Sequence, residues 1–148
     1  MNKINILILL SILTFSCASL KNNNKLNYGS PNVKQTILPN NTFKIDKYTS
    51  DKTYGYTKEN PIMVGGVSPT NERIFLNSLI GKNGENISYK RLGSCCPFKT
   101  NHGFINNSGM LDKYEITFLK SNKKVILYIN MYDSNTLMVP VGFKLKHQ

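Results

Sequence analysis

Cys95 and Cys96 stand side by side in the chain, and His102 follows six residues after Cys96. A cysteine with a histidine as base is a pairing that makes a thiol nucleophile, and nearby positive charge, here Arg91 and Lys99, lowers a thiol pKa. Three readings of the pair are open: a vicinal disulfide stiffening the turn before Pro97, two inert half-buried thiols, or a redox-active or nucleophilic pair in which Cys96 attacks. Adjacent Cα atoms lie about 3.8 Å apart, below the roughly 4.4–6.8 Å of ordinary disulfides. In an extended segment the two thiols would also point to opposite faces. Without a thiol partner, His102 reads as a solvated loop histidine among the polar residues 101–107. His147 is next to the chain end and is expected to fray.

Other chemistries find less support in the residue pattern. Two adjacent cysteines and two distant histidines match no zinc spacing, so neither a metal nor another cofactor is expected. Glu72, Glu85, Asp112, Glu115 and Asp133 are scattered and read as surface groups, not as a glycosidase couple. Gly65-Gly66 precedes a helix start that would accept an anion, although capping by Ser68 satisfies the same amides.

The chain has 148 residues, enough for one domain with a real core. Its formal net charge is +11, from 19 Lys and Arg against 8 Asp and Glu, which favours anionic partners such as lipid headgroups or sugar phosphates. The lysines are dispersed, and no nucleic-acid-binding module signature is present, so nucleic acid is not an expected partner.

The compartment is written in the first segment. Met1-Asn2-Lys3 is a positive start and Ile4 to Phe15 is an apolar run too short to span a bilayer but long enough for a signal peptide. Ser16 before Cys17 resembles the end of a bacterial lipobox, although Thr14 and Phe15 depart from its usual pattern. The expectation is a lipoprotein signal peptide over residues 1–16 and acylation at Cys17. The protein would then be anchored to a membrane of the cell envelope, most simply the outer membrane, facing the periplasm or the cell surface. Residues 17–53 contain six lysines, two aspartates and several asparagines without helical or strand periodicity, and read as a solvated tether.

A domain is expected over residues 54–148. Ser68 as cap, Pro69 at the first helical position and Glu72 in the first turn mark a helix whose apolar residues Phe75, Leu76, Leu79 and Ile80 run to a stop at Gly81. Residues 87–92, 114–118 and 125–132 read as strands, the last apolar on nearly every residue, and the tail 137–143 as an edge strand. The expected architecture is α+β, one helix packed on a small antiparallel sheet.

The strings YGYTKENPIMVGG (Tyr54 to Gly66), NERIFLNSLIGKNGENISYKRLGSCCPFKT (Asn71 to Thr100), GMLDKYEITF (Gly109 to Phe118), LYINMYD (Leu127 to Asp133) and VPVGF (Val139 to Phe143) carry a family likeness. Together they resemble a family of small Bacteroidota proteins, usually lipoproteins, often labelled 2-dehydro-3-deoxyphosphooctonate aldolase. The likeness covers nearly all of the domain and none of the tether; Met63 stands where the family pattern frequently has Lys. The resemblance implies an envelope lipoprotein and, through the label, lyase activity.

The residues themselves offer no complete catalytic set. No lysine sits within an apolar run to form a Schiff base, and about 95 residues are fewer than half of the ~250 of a barrel enzyme. The leading expectation is therefore a membrane-anchored binding or envelope-associated module, with Tyr54, Tyr56, Arg91 and Lys99 as candidate ligand contacts and an anionic glycan or other envelope component as partner. The competing expectation is an enzyme, either that lyase or a thiol enzyme using Cys95 and Cys96.

Overall fold

A computed structural model of the chain describes residues 25–146. The expected signal peptide, Cys17, the start of the expected tether and His147 lie outside the described residues.

The elements run in the order β1 (Leu26–Asn27), β2 (Ile62–Met63), α1 (Pro69–Asn77), β3 (Leu79–Gly81), β4 (Ile87–Lys99), β5 (Ser108–Phe118), β6 (Lys124–Asn130) and β7 (Phe143–Leu145). Strands take 40% of the structure and helix 7%, and five strands form a curled sheet, a half-barrel, so the expected single helix on a small antiparallel sheet is corrected. The sheet order is β1-β4-β5-β6-β2, and β3 pairs with β7 in a separate two-stranded sheet. β4, β5 and β6 form an antiparallel meander, whereas the two-residue strands β1 and β2 join its two edges in parallel.

β5 shows why the meander forms. Asp112, Tyr114, Ile116 and Phe118 are buried while Lys113, Glu115 and Thr117 between them stay half-exposed, the alternation that a pleated strand imposes. Leu127 and Ile129 of β6 join Tyr114 and Ile116 in one core, and α1 adds Ile74, Phe75 and Leu76 to it.

The helix begins as its sequence predicts. Ser68 is the N-cap, its hydroxyl accepts from the Thr70 amide at 3.2 Å, and Pro69 follows at the first helical position. It ends earlier than Gly81, because the Ser78 hydroxyl donates to the Ile74 carbonyl at 2.9 Å and so competes with the helical ladder. Leu79–Gly81 then becomes β3, paired with Leu145, Lys144 and Phe143. The close approach at Gly81 explains the glycine, since a Cβ there would lie 2.9 Å from the Phe118 ring. The expected tail strand over 137–143 shifts accordingly to β7.

The expected tether boundary at residue 53 is not where packing stops. Phe43 is 0% exposed and Ile45 2%, and both belong to the main core. The Phe43 amide donates to the Ser78 hydroxyl at 3.2 Å, which ties this segment to the end of α1. Single apolar residues among polar ones give no period to read, yet two of them belong to the main core.

Candidate functional site

A cavity of about 540 Å³, within the usual range of small-molecule sites, opens at the Phe118 end of β5. Four separate parts of the chain build it. Lys52 comes from the turn before Tyr56, Lys82 and Asn83 from the turn after β3, Lys123 from the β5–β6 turn, and Val141 with Gly142 from the tail. Phe118, Val125 and Tyr56 give it an apolar floor. Tyr56 is fixed there by donating its hydroxyl hydrogen to the Val141 carbonyl, and burial raises its pKa, so it stays a neutral phenol.

Three lysines therefore face one acid, Glu85, whose Oε2 accepts from the Ser121 amide at 3.2 Å and hydroxyl at 3.3 Å. Among the described residues, Lys52, Lys82 and Lys123 take part in no ion pair. Unpaired cations around an apolar floor suit a ligand with an anionic group on a body that has an apolar face.

Tyr56 is the only ligand candidate from the sequence that lines this cavity. Tyr54, expected as a ligand contact, is buried with 6% of its surface accessible, and its hydroxyl accepts from the Met138 amide at 3.2 Å. Lys99 lies at the opposite end of β5, where it lines a polar hollow of about 320 Å³ with Asn27, Ser30, Asn101 and Asn107. The cavity lysines had no sequence signal, because their segments meet only through the fold.

Arg91 is engaged in structure. Its Nε and Nη2 donate to the two oxygens of Asp112 at 2.6 and 2.8 Å, and Nη2 also donates to Ser94 at 2.7 Å. The register makes this contact: Arg91 lies opposite Tyr114 and Ser94 opposite Asp112 on neighbouring strands. Burial alone would raise the Asp112 pKa, but the hydrogen bonds from Arg91 and Ser94 and the guanidinium charge hold it below the ordinary value.

Behind Asp112 lies a second carboxyl. Glu72, expected on the surface, is 0% exposed, and its Oε2 accepts from the Tyr114 hydroxyl at 2.8 Å. Burial, with the negative charge of Asp112, pushes its pKa up to about 8 although the Tyr114 hydrogen bond opposes the rise. Ionised, Glu72 would leave Oε1 buried without a donor, which favours the protonated carboxyl. The expectation of scattered surface acids is thus corrected for Glu72, Asp112 and Asp133, all buried.

Removing the guanidinium leaves the Asp112 carboxylate buried beside Glu72. Arg91→Ala is expected to cost about 2–3 kcal/mol, below the 3–5 of a wholly buried pair because Arg91 remains partly in water. Urea denaturation measures it, and Arg91→Ala combined with Asp112→Asn should recover part of the loss.

Asp133 gathers the third cluster. It accepts from the Thr100 hydroxyl at 2.5 Å and from Asn130 Nδ2 at 3.0 Å, and His102 Nδ1 lies 2.8 Å from its Oδ1. His102 is therefore a held residue and not the expected solvated loop histidine. Its ring partner is Asp133, not Cys96.

The cysteines themselves are joined, Cys95 to Cys96, with a Cα separation of 3.7 Å. The strand accommodates the ring through a bulge: Cys95 pairs with Leu111 and Pro97 with Met110, leaving Cys96 unpaired at φ 57°. That left-handed residue removes the opposite-face problem of a regular strand. With both sulfurs in one bond, neither cysteine is a thiolate nucleophile. Among the described residues every lysine is exposed or half-exposed, so none is the desolvated amine that a Schiff-base lyase uses. Among the same residues no group of three or more His, Cys, Asp or Glu side chains is placed to hold a metal ion. Comparison with protein-family models, with curated proteins and with solved structures returns no match.

Proposed function

We propose that the protein is a lipid-anchored module of the bacterial cell envelope, a member of the small lipoprotein family its sequence resembles, which binds an anionic ligand in the lysine-ringed cavity. The observation that carries this reading is the set Lys52, Lys82 and Lys123, without ion-pair partners among the described residues, around the floor of Tyr56, Phe118 and Val125. A phosphorylated or carboxylated envelope glycan has the required chemistry: the apolar face of a sugar ring lies on the aromatic floor while its anion meets the lysines. The signal-like residues before Cys17 and the net charge of +11 support the same setting, a cationic domain kept next to an anionic surface.

The test is calorimetric titration of the purified protein with a phosphorylated oligosaccharide and with its neutral counterpart. Replacing Lys52, Lys82 and Lys123 together by Gln is expected to weaken binding about 10- to 100-fold, at roughly 0.5–1 kcal/mol for each partly exposed charge. Added salt should weaken the wild type more than the variant. Equal affinity for the neutral sugar, or an unchanged affinity in the triple variant, would overturn the reading.

A further inference from the structure

Phe104 and Ile105 are 80% and 74% exposed, more than any other large apolar side chains among the described residues. They are adjacent, and the loop that carries them is tied down. The Thr100 amide donates to the Asn107 carbonyl and the Ser108 amide to the Ile105 carbonyl, each at 3.0 Å. Asn106 and Asn107 both take φ of 50°, a left-handed turn that Asn tolerates and that turns the chain back behind the tip. Phe104 also meets the Tyr132 ring edge-on, with centroids 6.4 Å apart. The apolar tip is therefore built into a closed loop and is not the product of a frayed segment.

Its place in the fold says what covers it. Leu26 pairs with Phe98 and Asn27 with Lys99, so the chain enters the described domain at the end of β4 that leads directly into this loop. Met110, 40% exposed, pairs with Pro97 at the same end of the sheet. Lys25 and Lys99 are exposed beside it. Cys17 lies eight residues before Lys25, and eight residues span at most about 28 Å when fully extended. An acyl group on Cys17 would thus keep this end of the domain within about 28 Å of the bilayer.

We infer that Phe104 and Ile105 form a second membrane contact: the pair inserts between phospholipid headgroups, with Lys25 and Lys99 facing the headgroup phosphates, and fixes the domain so that the lysine-ringed cavity points away from its own membrane. The inference rests on the lipid-anchor reading, and a single experiment separates the two. The protein has no tryptophan, so Phe104→Trp provides one emission signal from the tip. The full-length lipidated protein carrying that change is reconstituted into phospholipid vesicles, with and without brominated acyl chains, and the vesicles are floated.

The expected result is flotation, a blue-shifted tryptophan emission, and loss of that emission in brominated lipid. Tyr48→Trp is the control, because Tyr48 is 60% exposed and bridges Val139 and Leu145 at the cavity end; its emission should be neither shifted nor quenched. A Phe104→Trp chain that floats while its indole emits as in water and escapes quenching overturns the tip contact and leaves the anchor standing. A chain that fails to float overturns both. In a third variant, Phe104→Asp with Ile105→Asp, flotation should persist while the orientation is lost, read as new access of vesicle-impermeant label to cysteines introduced on the membrane-facing end. Unchanged protection of those cysteines in that variant would equally overturn the tip contact.

Discussion

Phe43→Ala is expected to lower the stability of the folded protein by about 3–5 kcal/mol, the usual cost of removing a fully buried aromatic ring. The ring is 0% exposed and shares the core with Ile45, Phe75 and Leu76. The neighbouring backbone is held as well, by the Phe43 amide bond to Ser78, a residue that also binds the Ile74 carbonyl and accepts from the Lys146 amide at 2.8 Å. Residues 42–45 are therefore part of the packed domain and not of a solvated tether. Chemical denaturation followed by circular dichroism should show a lower midpoint with an unchanged slope, as for a loss of packing without a change in exposed area. If residues 42–45 were a solvated tether, the same substitution would be silent.

Glu72→Gln should change how stability depends on pH. The folded pKa is raised from 4.5 to about 8, first by burial and then by Asp112. Between those two values the folded protein binds more protons at this site than the unfolded chain does. Stability from this group is therefore complete below 4.5 and is lost as pH rises, at about 1.4 kcal/mol per pH unit in the steep region, until it levels off above the folded pKa. Glutamine copies the protonated carboxyl and cannot ionise. The variant should lose this slope and be the more stable protein at about pH 9, with little difference at about pH 4. Thermal or urea unfolding across that range measures it, and parallel pH profiles for the two proteins would show that Glu72 does not hold its proton.

Where local chemistry decided the structure, the sequence was readable. Ser68 and Pro69 mark the start of α1, and the alternation at Tyr114, Ile116 and Phe118 marks β5, because a cap and a pleat are made by neighbours in the chain. The failures came from distance. Glu72 reads as a first-turn acid facing the helix dipole, and only the Tyr114 and Asp112 side chains of β5 turn it into a buried, proton-holding group. His102 sits among asparagines in sequence, but Asp133, across the fold, holds its ring in place. Cys95 and Cys96 stand out in the sequence, with the disulfide among their possible states. What sequence could not supply was the bulge at Cys96, since a bulge is a mismatch between two strands. The cavity is the extreme case: Lys52, Lys82 and Lys123 share no local pattern.

The bulge at the disulfide also bears on how copies of this protein tolerate crowding. β1 covers only Phe98 and Lys99 of the thirteen-residue β4, so residues 87–97 present the outer rim of the main sheet. A flat rim of that length is a template on which a second copy can add its own strand, a hazard that grows for molecules confined to a surface. Here the ladder is broken twice, between Arg91 and Gly93 and between Cys95 and Pro97, and the rim carries Lys90, Arg91 and a proline that has no amide hydrogen to offer. The joined cysteines thus lock one of the two kinks that keep neighbouring domains from zipping together, a guard against aggregation at the place where the sequence first suggested catalysis.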